Sequence, residues 1–150
     1  MRARLTARLA AVGIESQRLE LRGWSGHAEY LAAYRGVDVA LDPFPFGGGV
    51  TTCDALWMGV PVVTLPGDTF ASRHGLSHLT AGGLPELAAP DAGGYVGLAA
   101  DLARDPGRLA ELRAGLRGRV ARSPLCDGER LADELLAALR TAWRAWATGS

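Results

Sequence analysis

Lysine does not occur in this sequence. All sixteen basic residues among its 150 are arginines, and sixteen acidic residues cancel them. The absence removes any chemistry that needs a lysine amine, and only Arg or His can neutralise a phosphate here. With no net charge, no global field draws in nucleic acid or an anionic membrane. Cysteine is scarce too. Cys53 and Cys126 lie far apart and form no CxxC, so neither a disulfide framework nor a zinc knuckle is indicated. No apolar run reaches the roughly 18 residues of a membrane span. The start, MRARLTARLAAVGI, is basic and then apolar, but Arg8 interrupts it and no cleavage site follows a long apolar stretch. It reads as an amphipathic helix rather than a signal peptide, and a cytoplasmic protein is expected.

What is present is an ordinary globular composition, 48% hydrophobic and 21% charged. The length suits one domain with a core, not two. Helical spacing covers residues 2–12, and Gly13 ends it. RLELR at 18–22 alternates as a short strand, and residues 28–34 form a helix stopped by Gly36. VDVAL at 37–41 and VPVVTL at 60–65 are apolar and β-branched, as buried parallel strands are. Helices are expected over 51–58, 69–81, 94–104, 106–122 and 127–146, with a helical turn at 85–89. The last carries an apolar stripe of Leu131, Leu135, Leu139, Trp143 and Trp146. The order β-α-β-α-β-α followed by helices predicts an α/β fold with a Rossmann-like parallel sheet. Three strands are fewer than a doubly wound sheet holds, so residues 1–150 read as one partial domain.

The stretch LDPFPFGGGVTTCDALWMGVP, residues 41–61, carries the chemistry. A strand runs into Gly47, Gly48 and Gly49, then into a helix whose first turn holds Thr51, Thr52 and Asp54. Anionic ligands bind open α/β sheets at such a place, where bare backbone N–H groups and a helix N-terminus meet the carboxyl end of a strand. Thr51 and Thr52 can cap the helix or donate to phosphate oxygens. Asp54, three residues after Thr51, shares its face. Phosphate repels a carboxylate, so its natural partner is a diol such as a ribose. The loop ends in no Gly-Lys-Ser/Thr and is not GxGxxG. A tight strand-to-helix turn with Thr caps and a dipole-stabilising Asp explains the same residues without any ligand.

Other candidates have plainer explanations. His74 and His78 have the i, i+4 spacing of a zinc pair but no third ligand nearby. Cys53 reads as a small buried hydrophobe. Asp42 and Asp68, beside Pro43 and Gly67, read as turn formers. The arginines between Arg104 and Arg122 are interspersed with Asp101, Asp105 and Glu111, the pattern of a solvated helix face rather than a nucleic-acid patch. Trp143 and Trp146 read as core or lobe-docking residues, not a base-stacking platform.

The run VDVALDPFPFGGGVTTCDALWMGVPVVTLPGDTFASRHGLSHLTAGGLPELAA closely resembles the C-terminal catalytic region of the O-linked N-acetylglucosamine transferase family, the Spindly-type and bacterial tetratricopeptide-linked glycosyltransferases. The resemblance continues through LAELRAGLRGRVARSPLCD and covers residues 18–147. It implies the latter part of the C-terminal lobe of a GT-B glycosyltransferase. It also implies an inverting transfer of N-acetylglucosamine or a related hexose from a UDP-sugar to Ser or Thr of a protein acceptor, with no metal or other cofactor. The implied partners are an upstream N-terminal lobe and tetratricopeptide repeats.

Carried over by position, the donor-binding residues are His27, Gly48, Gly49, Val50, Thr51, Thr52 and Asp54. Thr51 falls at the diphosphate, Asp54 at the ribose and His27 at the nucleoside, while Arg73 matches a recurring, structural Arg. Three positions depart from the family pattern. Val50 stands where Thr is usual, Gly49 where some members have His, and Tyr30 where a His heads the helix. The family's donor-contacting Gln and Lys precede the stretch seen here, and no general base is assigned. The expectation is therefore a fragment, a truncated frame or a degenerate copy. A non-catalytic remnant or interaction module that keeps the fold is the alternative. A nucleotide-sugar epimerase of GT-B type shares the donor loop, but TTCDALWMGVP fits the transferase better.

Overall fold

The computed structural model describes residues 2–149. The chain divides into two compact units, Met1–Tyr30 and Leu31–Ser150. In the first, helix α1 (Arg2–Ala10) ends where Gly13 takes φ 85° and the Ile14 N–H reaches back 3.0 Å to the Leu9 carbonyl. Only glycine adopts that backbone cheaply, which makes Gly13 the helix stop. The strand expected at 18–22 does not form. A 3-10 turn occupies Ser16–Arg18, and the residues after it are extended without a partner strand among the described residues. Alternation alone does not make a strand, because the backbone also needs a partner to hydrogen-bond. The charged residues of this segment instead pair locally, Arg22 with Glu20 at 2.8 Å. Helix α2 (His27–Ala33) begins in this unit and is followed by a 3-10 turn at Tyr34–Gly36.

The second unit holds the sheet. Strand β1 (Ala40–Leu41) pairs in parallel with β2 (Val62–Val63), Ala40 opposite Val62 and Leu41 opposite Val63. Helix α3 (Val50–Trp57) makes the crossover between them. Both strands are shorter than expected. β1 is paired on one side only among the described residues, so residues 37–39 have no ladder to join. Beyond β2, Thr64 bridges Ala88 in parallel. Its N–H donates to Leu87 at 3.1 Å, and its carbonyl accepts from Ala89 at 2.8 Å. The helical turn expected at 85–89 is therefore a 3-10 turn, Pro85–Leu87, whose exit extends the sheet.

The helix expected over 69–81 is interrupted. Thr69 and Ser72 cap each other around a 3-10 turn, Phe70–Ser72, and helix α4 (His74–Ala81) starts afresh after Arg73. Helices α5 (Ala92–Arg104) and α6 (Pro106–Ala121) follow, capped by Asp91 and Asp105, whose carboxylates accept the Gly94 and Arg108 N–H groups at 2.8 Å each. The core lies between the sheet and α3, α4 and α6, with Leu56, Val60, Val63, Leu79, Leu84 and Leu116 buried. Burying one such side chain is worth about 2 kcal/mol.

Helix α7 (Gly128–Thr148) contributes no buried residue. Its stripe is uncovered, with Trp143 64% and Trp146 72% exposed, so these residues are not core. The arginines of α6 also differ from expectation. Arg113 donates to the Val37 carbonyl, Arg117 to the Trp57 carbonyl at 3.0 Å, and Arg119 to the Gly83 carbonyl at 3.3 Å. They tie α6 to neighbouring elements rather than forming a free solvated face.

Candidate functional site

The carboxyl end of β1 delivers Asp42, which is only 4% exposed. Its carboxylate accepts the Gly48 N–H on one oxygen and the Thr64 hydroxyl on the other, both at 2.6 Å. Its carbonyl accepts the Tyr95 hydroxyl at 2.9 Å. One residue thus ties the glycine loop and the end of β2 through its side chain, and helix α5 through its backbone. Charge-assisted bonds of this length are about twice as strong as neutral ones. Gly47 is held from the other side, its N–H donating 3.1 Å to the Ala71 carbonyl. Packing at this knot leaves no room for side chains. A Cβ on Gly48 would sit 2.6 Å from the Thr51 hydroxyl, and one on Gly75 would sit 2.3 Å from Asp42 Oδ2.

From this anchored loop the chain enters α3 through Gly49, which carries no side chain to cap the helix. Among the described residues, the backbone N–H groups of Gly49, Val50 and Thr51 donate to no acceptor. Free donors at a helix start are the groups that bind anions. Thr51 is exposed. Thr52 differs: it is buried, and its hydroxyl donates to the Gly48 carbonyl at 2.9 Å, so it braces the loop rather than facing outward. Asp54 is half-buried one turn into α3, on the Thr51 side of the helix. Val50 is exposed and brings an isopropyl group where a hydroxyl would be a donor. Cys53 is half-buried, and its thiol is pushed up by burial and then by the neighbouring Asp54 carboxylate, which keeps it protonated and unreactive at neutral pH.

Beside the loop, a cleft of about 130 Å³ is lined by Tyr34, Ala40, Leu41, Pro43, Thr51 and Ala55 among others. The Tyr34 hydroxyl donates to the Thr51 carbonyl at 3.3 Å. A larger cleft, about 320 Å³, runs along α6 away from the loop. Two of its three arginines are engaged, Arg108 with Glu86 at 3.6 Å and Arg119 with the Gly83 carbonyl, so it offers less free charge than its composition suggests.

The structure therefore brings Gly48, Gly49, Val50, Thr51, Thr52 and Asp54 to one helix start. His27 belongs to the other unit, where it opens α2, is exposed and stacks 6.4 Å from Tyr30. His74 and His78 are parallel rings 6.3 Å apart, and among the described residues no group of three metal-ligating side chains exists. Burial, and then His74, push the His78 imidazole below its ordinary value, with Asp42 opposing. Sequence reasoning missed Asp42, Thr64 and Tyr95. The proline after Asp42 suggested a turn, and only the fold shows the carboxylate facing inward. Arg73, read as structural, does hold the backbone, donating to the Gly67 carbonyl at 3.1 Å.

Comparison with known proteins places this geometry. The chain is 42% identical over 150 residues to the probable UDP-N-acetylglucosamine–peptide N-acetylglucosaminyltransferase SPINDLY of Oryza sativa, a match that covers 99% of the chain and 16% of that protein. It is 31% identical over 137 residues to the UDP-N-acetylglucosamine–peptide N-acetylglucosaminyltransferase of Caenorhabditis elegans, covering 91% of the chain and 12% of that protein. A mutant O-GlcNAc transferase from Thermobaculum terrenum superposes with a TM-score of 0.91 at 40% identity, over 99% of this chain and 29% of that one. The chain thus spans a minor part of each relative it matches. The partial α/β, GT-B-type fold expected from the sequence is the one observed. Residues 2–135 match the model of glycosyl transferase family 41, and with relatives and a solved structure that match along almost its whole length, the chain belongs to that family.

Proposed function

We propose that this chain is the UDP-sugar-binding part of a glycosyltransferase that moves N-acetylglucosamine, or a related hexose, to Ser or Thr of a protein acceptor. The observation that carries the reading is the helix start at Gly49. Three backbone donors are free there, on a loop that the buried Asp42 fixes in place. The donor diphosphate sits on these N–H groups and on the exposed Thr51 hydroxyl. Charge that builds on the UDP leaving group as the sugar departs is stabilised by dipoles already in place, which is the advantage of a fixed site over water. Asp54, one turn further, accepts from the ribose hydroxyls. No metal is required when the leaving group is held in this way. The protein acceptor, an N-terminal lobe and tetratricopeptide repeats complete the enzyme, which acts in the cytoplasm.

A second reading, a module that keeps the fold without catalysis, draws on Val50, whose side chain offers no hydroxyl at the diphosphate. Calorimetry with UDP, using Asp54→Ala as the control, separates the two. Saturable binding by the full chain, weakened about tenfold or more in the variant, supports the donor site. A folded chain that does not bind UDP supports the module.

A further inference from the structure

We infer that Tyr95 is a positioning residue of the donor site: it sets the pose of the arm that leads into the glycine loop, an inference that rests on the donor-site reading above. The arm is Pro43, Phe44, Pro45 and Phe46. All four are exposed, between the buried Asp42 and Gly47. Two are prolines and have no N–H to give. Among the described residues, no backbone group of the four takes part in a hydrogen bond. The ends are held, Asp42 by its buried knot and Gly47 by the Ala71 carbonyl, and Tyr95 meets the arm between them. Its ring faces Phe44 edge-on, with centroids 5.7 Å apart and planes at 83°. Its hydroxyl donates 2.9 Å to the Asp42 carbonyl, the group from which the arm departs. That bond fixes the plane of the peptide joining Asp42 to Pro43.

Tyr95 stands on firm support. It lies in the first turn of α5, where its N–H donates to the carbonyl of the N-cap Asp91 at 2.9 Å. Helix α5 packs in turn on β2 and α6. Burial, and then the Asp42 carboxylate, push the phenol above its ordinary value, so it remains a donor at neutral and mildly alkaline pH. The arm's path into Gly47 decides how the N–H groups that follow converge. Those of Gly49, Val50 and Thr51 serve a diphosphate only when they point at one place, and small misplacements at such a site are costly. The carboxylate of Asp42 holds the loop from inside. Tyr95 holds the arm from α5, acting through Phe44 and the Asp42 carbonyl rather than by touching the donor.

The test is binding of UDP and of uridine to the full chain and to Tyr95→Phe, Tyr95→Leu, Phe44→Ala and the Tyr95→Leu, Phe44→Ala double variant. Calorimetry reads UDP, and saturation-transfer NMR reads the weaker uridine. Phenylalanine keeps the ring and loses one hydrogen bond, so about fivefold weaker UDP binding is expected. Leucine loses the ring edge as well and should bind more weakly still. Phe44→Ala, in the exposed arm, spares the core and should weaken UDP binding about threefold. Because Tyr95 and Phe44 share one contact, the double variant should bind no more weakly than Tyr95→Leu alone. Uridine, which lacks the diphosphate, should bind all of them equally. Equal UDP affinity for the wild type and Tyr95→Leu would overturn the inference and leave the donor site standing. So would losses that multiply in the double variant, or uridine binding that falls in proportion to UDP, the mark of a generally loosened fold. A folded wild-type chain that binds no UDP would remove the donor site and the inference together.

Discussion

Asp42 carries more of the site than any residue that would touch a ligand. Its two carboxylate oxygens satisfy the Gly48 N–H and the Thr64 hydroxyl in the same buried knot. Asp42→Ala leaves both donors without a partner, and each buried orphan costs about 1–3 kcal/mol. The variant is expected to lose about 2–4 kcal/mol of stability on that count, read from urea unfolding, and to bind UDP more weakly because the loop is no longer fixed. Asp42→Asn is isosteric. Its carbonyl still accepts from Gly48, and the Thr64 hydroxyl can rotate to accept from its amide, so about 1 kcal/mol is expected. Equal and small losses in both variants would mean that the carboxylate does not hold the loop. The same logic explains why Gly75 has no side chain, since a Cβ there would collide with Asp42 and Thr64.

At the scale of elements, α3 is positioned from both ends. Its start is set by the Asp42 knot, and its end by α6, where Arg117 donates to the Trp57 carbonyl and lies 5.1 Å above the Trp57 ring. A cation at the last turn of a helix meets unpaired carbonyls and the negative end of the dipole. Arg117→Ala should therefore cost about 1–2 kcal/mol in chemical unfolding, and Arg117→Lys should recover only part of it, because an ammonium cannot donate in plane while stacking on the indole. Full recovery by lysine would reduce the interaction to simple charge.

Neither contact was legible in the sequence, though the elements they join were. Helices α3, α5, α6 and α7 and the order of strands followed from apolar spacing, glycine stops and Asp caps, which are local signals. The glycine-threonine-aspartate site was legible for the same reason, since its residues are contiguous. What escaped depended on distant partners. RLELR at 18–22 has a strand's alternation and no neighbour to pair with. Ala88 joins the sheet only because Thr64 lies beside it. The arginines of α6 read as solvated until their carbonyl acceptors, 36 to 76 residues away in sequence, came within reach.

For the molecule as a whole, the contrast between its last helix and the rest decides how the isolated chain behaves. The core of the second unit is closed around β2, α3, α4 and α6, and every buried polar side chain has a hydrogen-bond partner among the described residues. Helix α7 adds no buried residue, yet its Leu131, Leu135, Leu139, Trp143 and Trp146 form a continuous apolar face. A patch of that size in water favours association over solvation. Stability and solubility are then set by different parts of the chain and can be changed separately. Replacing Leu139 and Trp143 by Glu removes apolar surface that nothing covers, so the unfolding midpoint should stay within about 0.5 kcal/mol of the wild type. Light scattering over a concentration series should show association falling sharply in the same variant. A lowered midpoint would mean that these side chains pack against the chain's own core. An unchanged association would place the sticky surface elsewhere, with the exposed Phe44, Phe46 and Phe70 around the glycine loop as the remaining apolar cluster.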